Sequence, residues 1–241
     1  MVFGEEGQKK IFESKVLVVG AGGLGSPVIA YLAAAGIGTL GIVDGDVVEE
    51  SNFQRQIIHA GREGVNKAES AKKFVEELNP DVEVVVYPFN ITPENVEILK
   101  EYDIVVGCPD NFRTRYILND ACVLYKKPFV HAAVYAYEGE VSTFVGTPCY
   151  RCYLPKAPKE HGRAIVGATA GVFGSLQASE VIKLITGSDV LKGKILRGDL
   201  YTMNFLEIDL QPRKDCPVCS GKLKGIFSEN YENDCRIVRF S

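Results

Sequence analysis

Short apolar runs alternate with longer helical patterns through the first 135 residues. The apolar runs occupy residues 15–20, 39–43, 82–87, 104–107 and 129–133. Continuous runs of this length are typical of strands buried on both faces of a parallel sheet. The stretches between them predict helices at 24–35, 66–78, 92–101 and 111–125. Four strand–helix passes predict a Rossmann-like, doubly wound α/β fold with a mostly parallel sheet and right-handed crossovers.

The alternation of strands and helices changes after residue 135. The pattern there predicts a strand at 140–145, a polar connection at 149–163, a helix at 168–185, and two strands near 194–197 and 201–210. Gly187 is the expected end of the helix. Gly198 and Asp199 separate the last two strands closely, which favours an antiparallel hairpin over another crossover. The sheet is therefore expected to have a C-terminal antiparallel extension.

Length and composition indicate one globular domain. The 241 residues are 46% hydrophobic and 24% charged, which excludes an intrinsically disordered chain. We expect a single domain over residues 1–241, with an α/β part at 1–135 and the extension at 136–241. The polar tail after Cys219 is predicted to be peripheral.

Charge and hydropathy exclude two other classes of protein. Lys plus Arg number 27 against 31 for Asp plus Glu, so the net charge of −4 offers no general basis for binding nucleic acid. The longest apolar stretch, around residues 28–37, falls well short of the roughly 20 residues that cross a bilayer. The first ten residues lack the basic-then-apolar order of a secretory signal, so a cytoplasmic protein is expected.

A glycine-rich segment follows the first predicted strand and opens the first of these helices. Gly20, Gly22, Gly23 and Gly25 would allow a tight turn there, and the helix N-terminus would offer backbone N–H groups to a phosphate. Asp44 ends the second strand, where a carboxylate commonly accepts hydrogen bonds from ribose. The pattern favours a bound nucleotide but does not choose between NAD, FAD and ATP. The alternative is that the glycines serve only close packing of helix and strand.

The loop after the second strand favours ATP. Arg55 in that loop and Lys67 at the start of the next helix are two cations at the carboxyl end of the sheet, suited to a triphosphate. Asp46, Asn52 and Gln56 in the same loop are further candidate contacts. Either cation alone could equally belong to a solvated surface.

Asp110 follows the fourth predicted strand, at the mouth of the expected crevice. A carboxylate that faces a triphosphate is a natural ligand for Mg²⁺. Asp110 could also cap the next helix, and both roles could hold. The neighbouring Asn111 is a further candidate contact with the cofactor.

Four of the seven cysteines form two Cys-x-x-Cys pairs. The pairs are Cys149 with Cys152 and Cys216 with Cys219. Their spacing predicts a structural Zn²⁺ site of four thiolates that ties the tail of the chain to its body, with no open position for a substrate. Thiol–disulfide couples are the alternative. Cys122, inside a helical pattern, is predicted to be a core residue.

Several of these segments together resemble one known family. They are EEGQKKIFESKVLVVGAGGLGS, DGDVVEESNFQRQ, GVNKAESA, CPDNFRTR, GVFGSLQASEVIKLITG and the two cysteine pairs. The chain resembles the ThiF/MoeB/HesA family of ubiquitin-activating-enzyme-like adenylyltransferases over nearly its whole length. The resemblance implies a homodimer that uses Mg·ATP to activate the C-terminal glycine of a ThiS/MoaD-type sulfur carrier as an acyl-adenylate. Thiamine or molybdopterin biosynthesis is the implied pathway.

The resemblance also implies roles for individual residues. The Gly20–Gly25 loop and Asp44 would bind adenosine and ribose, while Asn52, Arg55 and Lys67 would bind the phosphates. Gln56 would line the same site, and Asp110 would hold Mg²⁺ and support the attack. The implied catalytic residues are Arg55, Lys67 and Asp110. The other cofactor contacts include Asp46 and Asn111. Residues 136–241 would carry the zinc and the carrier-binding surface.

Two features depart from the family pattern. Residues 1–14 hold no arginine, although many members have one upstream of the GEEGQKK-like segment. The chain is therefore expected to start late, to have weakened activity, or to use Lys9 or Lys10 instead. No cysteine lies between Tyr153 and Ile182, and Glu160 stands near the position where many members carry one. Adenylation without a covalent relay is therefore the hypothesis.

Other functions remain open at this level. A non-catalytic nucleotide- or carrier-binding module, activation of a small-molecule or tRNA carboxylate, and an NAD-dependent dehydrogenase are the alternatives. His161 is interpreted as a loop histidine without a role, and His131 as a satisfied core residue.

Overall fold

Strands and helices alternate through the first half of the chain in the computed structural model, which describes residues 2–159, 162 and 164–241. The strands of these residues are β1 (Lys15–Val19), β2 (Thr39–Val43), β3 (Glu83–Tyr87), β4 (Ile104–Gly107), β5 (Phe129–Tyr135), β6 (Glu138–Phe144), β7 (Lys194–Asp199) and β8 (Asn204–Asp209). The helices are α1 (Gly4–Glu13), α2 (Gly25–Ala34), α3 (Lys67–Leu78), α4 (Phe112–Tyr125), α5 (Tyr150–Tyr153) and α6 (Gly167–Thr186).

All of these strands form one sheet, in the order β3-β2-β1-β4-β5-β6-β7-β8. The first five are parallel, and β6, β7 and β8 continue the sheet antiparallel. The chain runs outward in one direction from β1 through β2 and in the other from β4, so a crevice opens at the carboxyl ends of β1 and β4. The predicted doubly wound fold with an antiparallel extension is confirmed.

The two faces of the sheet are covered by different elements. The side chains Ile11, Val28 and Phe173 place α1, α2 and α6 in one core cluster. The opposite face is covered by α4 and by part of the C-terminal tail. Helices α2 and α6 pack very closely, since a Cβ on Gly174 would lie 2.5 Å from the Leu24 carbonyl oxygen. This close packing sets the N-terminus of α2 against α6, beside the crevice.

Two local predictions are wrong, and one helix was not predicted. Helix α1 was missed because only Gly7 and Ile11 of its ten residues are buried, which leaves a weak pattern. Residues 92–101 form a 3₁₀ turn at Val96–Glu101 only, since Asn95 Oδ1 accepts the Thr92 N–H and holds the preceding residues in a turn. Gly198 and Asp199 belong to β7, and the hairpin turn lies after them.

The C-terminal tail is not peripheral, contrary to prediction. Tyr231 and Cys235 are buried, and the Tyr231 hydroxyl donates to the Asp120 carboxylate at 3.0 Å. Arg151 pairs with the same carboxylate and also donates to the Cys235 carbonyl oxygen at 2.6 Å. The tail is therefore fixed to α4 and to the segment between Cys149 and Cys152.

No helix in the described ranges combines the length and the apolar character needed to span a bilayer.

Candidate functional site

A crevice of about 1400 Å³ opens at the carboxyl ends of β1, β2, β4 and β5. Every predicted nucleotide contact except Gly25 lines it. These residues are Gly20, Gly22, Gly23, Asp44, Asp46, Asn52, Arg55, Gln56, Lys67, Asp110 and Asn111. They come from three loops and from the first residue of α3, so the fold brings together residues that are as much as 91 positions apart.

The glycines of the first loop divide into two groups. A Cβ on Gly25 would lie 2.0 Å from the Gly20 carbonyl oxygen. Gly20 has φ +98°, and a Cβ there would lie 2.7 Å from the Cys108 carbonyl oxygen. These two positions fit the close-packing alternative. At Gly22 and Gly23 a Cβ would first meet Gln56 Nε2 at 3.6 Å and Ala170 Cβ at 3.3 Å, on the crevice side. The 3.3 Å contact at Gly23 is still tight, so Gly22 is the one of these four positions that close packing does not account for.

Asp44 holds this loop in place. Its Oδ2 accepts the Ala21 N–H at 2.8 Å and its Oδ1 accepts the Asp46 N–H at 2.9 Å. Burial raises the pKa of Asp44 in spite of these hydrogen bonds. A carboxylate can accept about four hydrogen bonds, so the two backbone contacts leave capacity for a ligand hydroxyl.

The two predicted cations lie at the crevice, as the sequence indicated. Lys67 opens α3 directly after its N-cap Asn66, and its Nζ lies 3.1 Å from Asp46 Oδ2. Arg55 donates from Nη1 to the Ser51 carbonyl oxygen at 3.3 Å. Asn52 accepts the Glu49 N–H with its own Oδ1, so it also shapes this loop.

Asp110 and Asn111 have separate positions at the start of α4. Asn111 is the N-cap, because its Oδ1 accepts the Thr114 N–H at 2.8 Å. Asp110 is exposed at the crevice wall, with Asn111 Nδ2 3.4 Å from its Oδ1. Asn111 is therefore the N-cap of α4, and Asp110 lines the crevice beside it.

The Gln56 side chain has a buried hydrogen-bond acceptor that no described residue satisfies. The side chain is 3% exposed, and its Oε1 has no hydrogen-bond partner among the described residues. A buried acceptor without a partner costs about 1–3 kcal/mol, so a donor from a bound molecule would be stabilising there. Adenosine offers amino and hydroxyl donors. The residues present therefore fit a nucleotide.

A second polar cluster, which the sequence did not reveal, lines the crevice beyond Asp110. Glu140 Oε2 accepts the Tyr153 hydroxyl at 2.8 Å, and Glu140 Oε1 lies 3.2 Å from His131 Nε2. Burial alone would raise the pKa of Glu140, but the hydrogen bonds from His131 and Tyr153 outweigh it and hold the pKa below its usual range. His131 lies on β5, Glu140 on β6 and Tyr153 on α5, so no local sequence pattern signalled the cluster.

His131 is buried, as predicted, but it is not fully satisfied. Burial lowers its pKa, so the neutral ring donates from Nε2 to Glu140. Its Nδ1 has no partner in the described part of the chain. Glu160 and His161, which also entered the sequence analysis, lie outside the described residues.

The four paired cysteines come together in a small buried cluster. Their sulfur atoms all lie within 4.8 Å of one another, with Cys149 Sγ 3.8 Å from Cys216 Sγ and Cys152 Sγ 3.6 Å from Cys219 Sγ. Tetrahedral Zn–S bonds of about 2.3 Å separate sulfurs by roughly 3.8 Å, whereas a disulfide needs about 2.05 Å. The cluster therefore fits a bound metal better than redox couples. Cys122 is buried in the core, as predicted.

The comparison with known families decides the assignment. The family model described as ThiF family matches residues 1–218. The chain belongs to the ThiF family. The resemblance drawn from the sequence motifs is thereby confirmed, and the crevice described above is a site of a ThiF family protein.

Individual relatives share much of this ThiF family chain. The SAMP-activating enzyme E1 of Haloferax volcanii is 44% identical, over 97% of this chain and 91% of its own. The sulfur carrier protein adenylyltransferase of Thermus thermophilus is 42% identical, over 96% and 92%. The adenylyltransferase and sulfurtransferase MOCS3 of Aedes aegypti is 45% identical over 96% of this chain, but the match spans only 56% of that longer protein.

A solved structure shares the fold. Escherichia coli MccB, crystallised with AMPCPP and MccA, matches with a TM-score of 0.80 and 25% identity, covering 88% of this chain and 68% of that chain. The two chains therefore share the same overall fold.

Proposed function

We propose that this ThiF family protein is an ATP-dependent adenylyltransferase that activates the C-terminal glycine carboxylate of a ThiS/MoaD-type sulfur carrier as an acyl-adenylate. The observation that carries the proposal is the meeting of the glycine loop, Arg55, Lys67 and Asp110 in one crevice. The names of two relatives that match over nearly their full length, a SAMP-activating enzyme and a sulfur carrier adenylyltransferase, support the same activity.

The chemistry follows from charge and position. The carrier carboxylate is already ionised at neutral pH, so it needs no general base to attack the α-phosphate of ATP. Arg55 and Lys67 would offset the negative charge that meets there and on the departing pyrophosphate. Asp110 would hold Mg²⁺, which when bound supplies further positive charge to the phosphates. The Gly22–Gly23 segment would let the backbone approach the nucleotide closely.

The antiparallel extension offers a surface for the carrier. Among the described strands β8 is one of the two edges of the sheet, and Phe205 and Leu206 on it and Met203 just before it are exposed. An exposed edge strand with apolar side chains suits pairing with a strand of a β-grasp partner. Residues 136–241 would then form the carrier-binding, zinc-tied part, and residues 1–135 the nucleotide-binding part, of a single domain.

Further parts of the proposal concern metal, assembly and location. One structural Zn²⁺ would be held by Cys149, Cys152, Cys216 and Cys219. Because four thiolates complete its coordination shell, the ion would take no part in the reaction. We also propose that the protein is a cytoplasmic homodimer that does not bind nucleic acid, acting in thiamine or molybdopterin biosynthesis.

Carrier-dependent ATP–pyrophosphate exchange tests the activity. Labelled pyrophosphate should enter ATP only when Mg²⁺ and a β-grasp carrier ending in Gly-Gly are both present. A carrier that lacks its last glycine is the matched control and should give no exchange. Tight ATP binding without exchange on any such carrier would point to a non-catalytic module. Preference for NAD over ATP would point to a dehydrogenase, and either result would defeat the proposal.

A further inference from the structure

His59 is the point at which three parts of the nucleotide crevice meet. Its side chain is completely buried, with Nε2 2.7 Å from the Ala21 carbonyl oxygen and Nδ1 2.9 Å from Ser70 Oγ. Its own backbone N–H donates to the Gln56 carbonyl oxygen at 3.1 Å. One imidazole therefore contacts the glycine loop and α3, while its backbone continues the turn that carries Gln56.

The hydrogen bonds define which nitrogen of His59 carries the proton. A carbonyl oxygen can only accept, so Nε2 must be the donor to Ala21. Nδ1 is then free to accept from the Ser70 hydroxyl. Burial, together with the nearby charges of Lys67 and Arg62, lowers the pKa of His59 and keeps the ring neutral, although the contact with Ala21 acts in the other direction.

The Ala21 peptide is held from both sides by these contacts. Its N–H donates to Asp44 at 2.8 Å, and its carbonyl oxygen accepts from His59. The residues on either side, Gly20 and Gly22, have no side chain to hold the backbone in one conformation. The orientation of this turn therefore depends on groups outside it.

The same imidazole relates the loop to the cation of the site. Ser70 lies three positions after Lys67 on α3, and its backbone N–H donates to Asn66, the N-cap of that helix. Both Ser70 and the backbone of Ala21 are fully buried, so neither contact is weakened by competition with water. A shift of His59 would move the glycine loop and Lys67 relative to each other.

We propose that His59 is a positioning residue of the nucleotide site, which through Nε2–H to Ala21 and Nδ1 to Ser70 sets the glycine loop against the helix that carries Lys67. The inference rests on the proposed function, because it assigns this geometry to the binding of Mg·ATP. It gives His59 no contact with the reacting atoms.

Two substitutions at His59 distinguish loss of the hydrogen-bond donor at Nε2 from loss of the imidazole ring itself. In His59→Gln the amide nitrogen reaches the position of Nε2 and can still donate to Ala21, whereas in His59→Asn the shorter side chain reaches only the position of Nδ1. We expect His59→Asn to weaken Mg·ATP binding about tenfold and His59→Gln to stay within about threefold of wild type. Ser70→Ala removes the second contact and should fall between them. Ser142→Ala is the matched control, since Ser142 is an equally buried serine that donates to Lys194 O instead.

The measurement is calorimetric ATP affinity of the full-length, zinc-loaded protein, with KM and kcat from pyrophosphate exchange alongside. The loss should appear in the Kd and KM for ATP, while the KM for the carrier stays unchanged. Equal losses of ATP affinity in His59→Gln and His59→Asn, or no loss in either, would overturn the inference. The proposed function would still stand in that case, provided that the wild type binds ATP and catalyses the exchange. Absence of ATP binding in the wild type would instead defeat the proposed function itself.

The tautomer gives a test that needs no activity. The chain has only three histidines, so the imidazole ¹⁵N signals can be resolved, and the pair lost in His59→Gln belongs to His59. We expect a protonated Nε2 and an unprotonated Nδ1 at neutral pH. A protonated Nδ1 would contradict the proposed contacts with Ala21 and Ser70.

Discussion

Lys67 holds its ammonium group 3.1 Å from the carboxylate of Asp46, with the lysine side chain 9% exposed and the aspartate 65% exposed. Because Asp46 is largely in water, the pair contributes at most about 1 kcal/mol to stability. Its effect is to keep the cation aimed at the crevice rather than extended into solvent. This arrangement makes Lys67 the first residue to test.

Replacing Lys67 should weaken nucleotide binding with little effect on folding. Lys67→Gln removes a charge-assisted contact to phosphate, for which we expect a loss in ATP affinity of about 10- to 100-fold. Calorimetry with Mg·ATP measures the affinity, and the thermal midpoint should move little. Lys72→Gln is the control, since Lys72 lies on the same helix and pairs with Glu76 at the surface, outside the crevice. Equal affinities of Lys67→Gln and Lys72→Gln for Mg·ATP would show that Lys67 does not contribute to nucleotide binding.

Alanine at two loop glycines should separate packing from binding. Gly25→Ala would place a Cβ 2.0 Å from Gly20 O, so we expect a marked drop in thermal stability. Gly22→Ala meets nothing closer than 3.6 Å and should fold normally while lowering ATP affinity. Gly171→Ala, with no atom within 4 Å, should be neutral or slightly stabilising. Differential scanning fluorimetry with and without ATP distinguishes these effects, and a stable Gly25→Ala protein would contradict the packing assignment.

The sulfur cluster should bind one metal ion for each chain. Metal analysis of purified protein is expected to find roughly one zinc, as four-thiolate structural sites bind. Cys216→Ser should lose most of the metal and unfold at a lower temperature, because metal binding and folding are coupled. Cys122→Ala, in the core and away from the cluster, should keep its zinc. Full zinc content in Cys216→Ser would argue against the site.

Asp120 should be among the residues most important for stability. Its carboxylate pairs with Arg151 inside the protein, where the two side chains are 0% and 2% exposed, and also accepts the Tyr231 hydroxyl. Asp120→Ala would leave a buried guanidinium without its counter-charge, at a cost of about 3–5 kcal/mol. Urea unfolding of the zinc-loaded protein measures this. Glu207→Gln, which breaks an exposed pair with Lys194, should cost less than about 1 kcal/mol.

Stability should fall when the pH drops below the usual histidine range. Burial holds the pKa values of His59 and His131 below 6.5, so between those values and 6.5 the unfolded chain binds protons that the folded chain does not. Stability is then fully present above about pH 6.5 and decreases below it. The slope of the thermal midpoint against pH should be smaller in His59→Gln than in the wild type, because the variant has lost one buried histidine. All other titrating groups are common to the two proteins, so their contributions cancel in the comparison. Identical slopes would mean that His59 is not held neutral by the fold.

Local patterns predicted the parallel part of the fold well. β2 and β4 were predicted to the residue, since strands buried on both faces leave unbroken apolar runs. Helix α3 was one residue shorter than predicted, because Asn66 is its cap. Helix α1 and the hairpin turn were missed, since the first buries few side chains and the second follows a glycine that packs against Phe205.

The sequence predicted which residues meet in the candidate site where residue type and spacing along the chain were enough to indicate it. Arg55, Lys67 and Asp110 line one crevice and the four paired cysteines come together, as their patterns indicated, while their roles toward phosphate, Mg²⁺ and Zn²⁺ stay predictions. The cluster around Glu140 was not found. Its partners lie on different elements, and no short-range pattern joins them.

By itself the sequence determined the alternation of strands and helices, the loops that carry charge, and the pairing of the cysteines, because these depend on neighbours along the chain. Only the tertiary structure decided that the tail is buried on Asp120 and that His59 joins the glycine loop to α3. Both depend on hydrogen bonds between residues far apart in sequence, and a buried polar group takes whichever partner the packing brings within about 3 Å.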